Sequence, residues 1–319
     1  MTPRNTPGST PDARLAYDIV DVFTDRPSAG NPLAVVHGAD ELTTEQCQAI
    51  AVEFGFSETT FPASQVVEGR EYATRIFTPS HEIPFAGHPT LGTAWVLRSR
   101  GVLGVDDAVQ VCGAGRIGVR FEPGDPTARV ELSATPRDLA GPVGPDLTRD
   151  LLRSVGLTPA DLAGEVWVAG CGLSFVHLPV TEEAVVRSVG TGRGFGDLVD
   201  RLAAVGPVDD LLDAVNVYAV AGEAPRLSVH ARVFVPGAGV PEDPATGSAA
   251  AGLGMALVAS GLLPEGGRYD IRQGLEMGRP SSLFGRVEAS DGRATACHVA
   301  GQVRRVASGE IEVPAQRGD

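Results

Sequence analysis

Arg75–Leu97 reads RIFTPSHEIPFAGHPTLGTAWVL, and Arg232–Leu257 reads RVFVPGAGVPEDPATGSAAAGLGMAL. The second stretch repeats the first. Arg75, Phe77, Pro79 and Pro84 match Arg232, Phe234, Pro236 and Pro241 at one offset. After a two-residue slip, His88, Pro89, Gly92 and Ala94 match Asp243, Pro244, Gly247 and Ala249. Upstream, Phe61 falls opposite Tyr218 at the first offset. A long unit present twice points to two similar half-domains, not a solenoid, whose units are shorter and more numerous.

Each copy reads as a strand, a Pro/Gly-rich turn and a helix. Pro89 and Pro244 are predicted at the first helical position, which tolerates a missing N–H. The Ala and Gly residues behind them carry no bulk, so another backbone can come close. Two helix N-termini with free amide donors are two anion sites. Halves packed face to face would aim both at one carboxylate-bearing ligand in a cleft.

Composition narrows the class. A chain of 319 residues accommodates one large or two ordinary domains, and 43% hydrophobic residues are enough to build real cores. The most apolar run, Ser248 to Leu263, is broken by glycines and short for a bilayer, so no membrane partner is expected. A net charge of −14 opposes nucleic acid and anionic membranes alike. Cys47, Cys112, Cys171 and Cys297 are scattered without C-x-x-C spacing, which fits a reduced, cytoplasmic setting. Residues 1–14 are polar, lack the apolar core of a secretion signal and are expected to form a disordered tail.

Taken in order, Tyr17–Phe23 and Leu33–Val36 read as strands separated by turns at Asp25-Arg26-Pro27 and Gly30-Asn31-Pro32. Thr43–Phe54 has helical spacing at Cys47, Ile50, Ala51 and Phe54, a capping box at Thr43 and Gln46, and a stop at Gly55. Thr59–Phe61 is a short strand, Thr90–Arg98 a helix, and Ile117–Phe121 with Arg129–Leu132 a hairpin across Pro-Gly-Asp-Pro. Ala134–Asp146 reads as a linker. Beyond it, helices are predicted at Leu147–Val155 and Thr181–Val189. Strands are predicted at Trp167–Ala169, Ser174–Pro179, Asn216–Ala221 and Leu227–Val235. Leu283–Glu288, Ala294–Val299 and Val303–Val306 close the chain as strands, with turns at Asp291-Gly292 and Gly301. The fold class is α+β: two pseudo-symmetric lobes, residues 15–134 and 135–302, each a mixed sheet wrapped around a helix.

Three residues carry candidate chemistry. Glu58 lies between Phe56 and Phe61, where apolar surroundings raise a carboxyl pKa and fit it to collect and return a proton near neutrality. A surface glutamate at a strand edge, or the partner of an arginine, is the competing reading. His88 stands before a helix-opening proline and could donate a hydrogen bond or shuttle a proton; a polar residue at a helix start is the plainer account. Asp243 before Pro244 has the signature of a helix N-cap, yet the repeat sets it opposite His88. Gly190–Gly196, GTGRGFG, follows a helix and not a strand, which argues against a dinucleotide loop. His81, Glu82 and His88 lack zinc-site spacing, and Cys171 has no adjacent base. No metal and no cofactor are expected.

Five ordered motifs are similar to those of the PhzF-like isomerase family, which has the diaminopimelate epimerase fold. They are DVFTDRPSAGNPLAVV (Asp21–Val36), SETTF (Ser57–Phe61), RIFTP with PFAGHPTLGTA (Arg75–Ala94), PEDPATGSAA (Pro241–Ala250) and QGLEMGRPS (Gln273–Ser281). The resemblance implies that Glu58 is the proton carrier and that His88, Asp243 and Ser248 belong to the site. It further implies a small carboxylate substrate held between the lobes without cofactor, a homodimer, and a final strand near 303–314 that returns to the first lobe. Ser28 stands where an aromatic residue is common in the family. Racemases of this fold place a thiol at each helix start, whereas Gly87-His88 and Asp243 occupy those neighbourhoods here. The resulting expectation is double-bond migration by one carboxyl group, with the amides near Gly87, Thr246, Gly247 and Ser248 holding the substrate carboxylate. An epimerase using Glu58, Asp243 or His88 in place of thiols, and a non-catalytic small-acid binding protein, are the alternatives.

Overall fold

The same succession of strands occurs twice in the computed structural model, which describes residues 14–123, 129–190, 195–206, 208, 211–235 and 240–315. Residues 1–13 of the expected tail, the turn after Pro123, residues 191–194 of the glycine-rich stretch and Pro236 lie outside the described residues, whereas Arg14, the last residue of that expected tail, opens a strand. The first succession comprises β1 (Arg14–Val22), β2 (Asn31–Val36), α1 (Thr44–Phe54), β3 (Glu58–Val67), β4 (Glu71–Phe77), β5 (Glu82–Ile83), α2 (Gly87–Ser99), β6 (Asp107–Cys112), β7 (Gly115–Phe121), β8 (Val130–Ala134) and β9 (Asp138–Ala140). After α3 (Pro145–Ser154) the second comprises β10 (Trp167–Gly170), β11 (Ser174–Pro179), α4 (Glu182–Arg187), α5 (Phe195–Ala203), β12 (Leu211–Glu223), β13 (Arg226–Val235), β14 (Val240–Asp243), α6 (Gly247–Ala259), β15 (Gly266–Gln273), β16 (Ser281–Ser290), β17 (Arg293–Gly301) and β18 (Val303–Glu312).

Strand pairing makes the duplication explicit. β2–β3 and β4–β6 are parallel, as are β11–β12 and β13–β15. The antiparallel pairs β1–β2, β3–β4, β6–β7 and β7–β8 recur as β10–β11, β12–β13, β15–β16 and β16–β17. β8 pairs with β17, joining the halves into one continuous ribbon. The ninth strand of each succession crosses over: β9 pairs with β10, and β18 pairs with β1.

Each half encloses one helix. From Gly87 to Leu97, all of α2 except Trp95 is buried, and α6 is buried over most of its length. A helix apolar on every face must be surrounded; here the two curved sheets surround them. One core cluster runs through both halves, from Val20, Leu33 and Leu91 to Leu253, Tyr269 and Val299. A second lies between α3–α5 and β10–β12, and a third under α1.

The helix predicted at Thr43–Phe54 is α1, with both arms of the capping box formed and Gly55 in the left-handed conformation that ends it. Asp291 and Gly292 both have positive φ in the turn between β16 and β17. Three expectations are corrected. Pro89 is the third residue of α2, not the first, and Pro244 precedes α6 altogether, since their N-caps are Ala86 and Thr246. Asp243 therefore caps no helix. The stretch read as a linker contains β9. β6 and β15 escape the sequence reading because their inward positions include Gln110 and Gln273, which break the apolar alternation.

Gly285 faces Tyr269 directly across β15–β16. A Cβ at Gly285 would fall within the Tyr269 ring. That ring is fully buried and its hydroxyl donates to the Ala250 carbonyl of α6 at 3.0 Å, so it cannot swing aside. Gly285→Ala is expected to destabilise the fold by roughly 2–4 kcal/mol, read as a lower urea midpoint.

Candidate active site

Glu58 opens β3, opposite Leu33 of the parallel strand β2. Its side chain is 16% exposed, but Oε2 is enclosed and forms no hydrogen bond among the described residues. It lies 3.4 Å from Nε2 of His88, which is also without a hydrogen bond. Burial, with a smaller contribution from the negative charge of Asp243, pushes the Glu58 pKa up to about 8, against a hydrogen bond from Ser57 that lowers it. Burial likewise drives the His88 pKa down to about 3, outweighing the Pro32 carbonyl, which favours the protonated ring. At pH 7 both are therefore mostly neutral. Their contact is a buried acid–imidazole pair, not an ion pair.

Asp243, at the end of β14, is 9% exposed. Burial raises its pKa to about 6, opposed by hydrogen bonds from Thr246 and Asn31. Thr246 Oγ1 donates to Oδ2 at 2.6 Å, and Asn31 Nδ2 donates to Oδ1 at 2.8 Å. The same Asn31 nitrogen donates to the Ala245 carbonyl at 2.9 Å and lies 3.3 Å from His88 Nδ1. His88 and Asp243, read as counterparts in the repeat, thus meet across a single carboxamide. Gln273 of β15 completes the frame, its Nε2 donating to the Asp243 carbonyl at 2.8 Å and to Thr246 Oγ1 at 3.1 Å.

The helix starts converge as well. A Cβ on Gly87 would come within 3.3 Å of Gly247 Cα and 3.4 Å of Ser248 N. Neither helix has a side-chain cap: Ala86 has nothing to offer, and Thr246 spends its hydroxyl on Asp243. Gly87, Gly247 and Ser248 thus stand in two adjoining first turns whose amides have no capping side chain, the disposition that accepts an anion.

Nothing in the local sequence marks Asn31 or Gln273 as site residues. Both lie in quoted motifs, but a neutral carboxamide announces no chemistry, and only the fold reveals its partners. Ser28 adopts φ +63° and its amide donates to Asp21 Oδ2 at 2.7 Å. The thiols lie elsewhere. Cys47 sits beneath Arg75, Cys112 bonds the Gly115 carbonyl, and Cys171 and Cys297 belong to the core around Met255 and Tyr269.

The duplicated α+β fold thus gathers two carboxyl groups, an imidazole and two helix starts between its halves. A family model described as phenazine biosynthesis-like protein matches residues 20–309, and the chain belongs to this PhzF-like family. It is 34% identical over 293 residues to a trans-2,3-dihydro-3-hydroxyanthranilate isomerase of Pseudomonas fluorescens, covering 89% of this chain and 95% of the relative. Its fold matches the crystal structure of a Bacillus anthracis phenazine biosynthesis protein of the PhzF family, with a TM-score of 0.80 at 24% identity over 94% of this chain and 99% of the other. A hydroxyproline epimerase from Agrobacterium vitis has the same fold, with a TM-score of 0.60 at 12% identity over 94% of this chain and 93% of the other. The chain is an isomerase with the diaminopimelate epimerase type of fold. Among the described residues no helix is long and apolar enough to cross a membrane.

Proposed function

We propose that this isomerase shifts a double bond in a small, carboxylate-bearing biosynthetic intermediate without a cofactor, using Glu58 as its acid/base. The observation that carries the reading is the Glu58 carboxyl, whose enclosed Oε2 has no hydrogen bond among the described residues and whose pKa is raised to about 8. Desolvation makes its carboxylate a stronger base than a solvated one, and the protonated form is still a competent acid near neutrality. The carboxylate takes a proton from a carbon acidified by conjugation: the C–H bond breaks, an O–H bond forms, and the electron pair moves into the π system. The new carboxylic acid then returns the proton to another carbon on the same face. His88 and Asp243 orient the reacting atoms and assist the proton transfer, and the amides of Gly87, Gly247 and Ser248 hold the substrate carboxylate, that of Thr246 being directed at Gln273 Oε1 at 3.4 Å. Epimerisation would return the proton to the same carbon from the opposite face.

The compound named for the Pseudomonas relative is the natural probe. Incubation with trans-2,3-dihydro-3-hydroxyanthranilate in D2O, followed by NMR and chiral chromatography, should give a constitutional isomer carrying no more than one deuterium, at the carbon that gains hydrogen. Recovery of the starting skeleton with an inverted centre would replace the reading with epimerisation. The homodimer implied by the family resemblance belongs to the same proposal and is measured by light scattering.

A further inference from the structure

Asn31 is fully buried, and its orientation follows from its neighbours. The nitrogen faces two oxygens, Asp243 Oδ1 and the Ala245 carbonyl, so it must be the NH2 group; the carbonyl Oδ1 then accepts from Ser57 Oγ at 3.3 Å. Through these contacts a residue of the first half grips the β14–α6 segment of the second. It also touches the Nδ1 edge of His88, whose opposite nitrogen faces Glu58. Ser57, which bonds its carbonyl, is the neighbour of Glu58. The titratable groups tied to this amide are therefore Asp243 and His88 directly, and Glu58 through Ser57 and His88.

A second set of contacts fixes Asn31 itself. The loop before it turns through positive φ at Phe23, Ser28 and Gly30. Arg279, from the loop joining β15 to β16, spans that turn: Nε donates to the Gly30 carbonyl at 2.7 Å, and Nη2 donates to the Ala29 carbonyl at 2.9 Å and to Asp21 Oδ1 at 2.5 Å. The Gly30 amide donates to the Pro280 carbonyl at 3.2 Å. Gln273, the last residue of β15 before this loop, holds Asp243 and Thr246. One connection of the second half thus braces both ends of the Asn31–Asp243 contact.

We propose that Asn31 is a positioning residue for the proton transfer: its NH2 group holds the Asp243 carboxyl and packs against the Nδ1 edge of His88, whose ring is bonded by the carbonyl of the next residue, Pro32, so that both groups stay in register with Glu58 across the two halves, and Arg279 holds Asn31 in place. The inference rests on the proton-transfer reading above. Asn31 reaches the reaction only through its neighbours, so its loss should lower kcat more than it changes KM. Displacement of a reacting group by about 1 Å costs on the order of 100-fold in rate.

The test compares Asn31→Asp, Arg279→Lys and Glu58→Gln with the wild type, using the same dihydroanthranilate probe. Asn31→Asp keeps the shape but replaces the donor with an acceptor facing two oxygens. It should lower kcat about 100-fold, leave KM within about threefold, and move the acidic limb of the pH–rate profile to higher pH as a third carboxyl is added. Arg279→Lys keeps the charge beside Asp21 but loses the planar fork on the two carbonyls, and should lower kcat about 10-fold. The ion pair it alters is partly exposed, so this variant carries the test if Asn31→Asp does not fold. Folded variants with wild-type kcat and an unmoved pH profile, beside an inactive Glu58→Gln, overturn the positioning role alone. An active Glu58→Gln overturns the proton-transfer reading beneath it.

Discussion

Glu58→Gln is expected to abolish most of the activity and, at the same time, to make the protein more stable than the wild type, increasingly so as the pH rises from 4.5 towards about 8. Removing a positioned acid/base costs about 10²–10⁴-fold in rate. The gain in stability follows from the sign of the pKa displacement. The folded-state pKa of Glu58 is about 8, above its ordinary value of 4.5. Between those values the unfolded chain releases this proton while the folded chain keeps it, so rising pH favours unfolding throughout that window and the effect levels off above pH 8. The full displacement corresponds to roughly 5 kcal/mol, and relaxation around the ionised group should reduce the measured effect to about 1–3 kcal/mol. Thermal unfolding of wild type and variant at pH 4, 7 and 9 checks this. The two curves should nearly coincide at pH 4 and separate progressively, the variant melting higher. A gap that does not widen with pH would show that Glu58 is not buried as described, and wild-type turnover would remove it from the chemistry.

Asp243→Asn should move the pH dependence of the reaction in a predictable direction. The Asp243 charge is the second cause of the high Glu58 pKa, after burial. With kcat/KM requiring ionised Glu58 in the free enzyme, the wild-type profile rises with pH to a plateau above about 8. Asparagine removes the negative neighbour but leaves the burial, so the ascending limb should shift to lower pH without reaching the range of a solvated carboxyl. Asn31 can still donate to the amide oxygen of the new side chain, whereas Thr246 must reverse its role and accept. The plateau is expected to fall by about 100-fold, because the new side chain can neither ionise nor exchange a proton. A limb that stays at about pH 8 would mean that the two carboxyl groups do not sense each other.

These effects show which parts of the protein are legible before folding. The duplication was visible because Arg, Phe, Pro and Gly recur in order in both copies. The α1 cap and the β16–β17 turn were visible because a capping box and an Asp-Gly pair act over three or four residues. Glu58, His88 and Asp243 stood out as residue types able to move or hold protons, and the quoted motifs placed them in a family. The helices start at Gly87 and Gly247, not at Pro89 and Pro244. Proline marks a helix entrance only loosely, and a three-residue error there decides whether Asp243 is a cap or a site residue.

By itself, then, the sequence determined the α+β class, the doubled unit and the list of groups available for chemistry, all of which depend on composition and on near neighbours along the chain. The rest came from contacts between segments far apart along the chain. Tertiary packing crossed β9 into the second half, left the α2 and α6 starts without side-chain caps, and set Asn31 between His88 and Asp243. It also withdrew water from Glu58. The energy of an ionised carboxyl depends on its surroundings, and the groups that act on Glu58 include His88 of α2 and Asp243 of β14, remote from it in sequence.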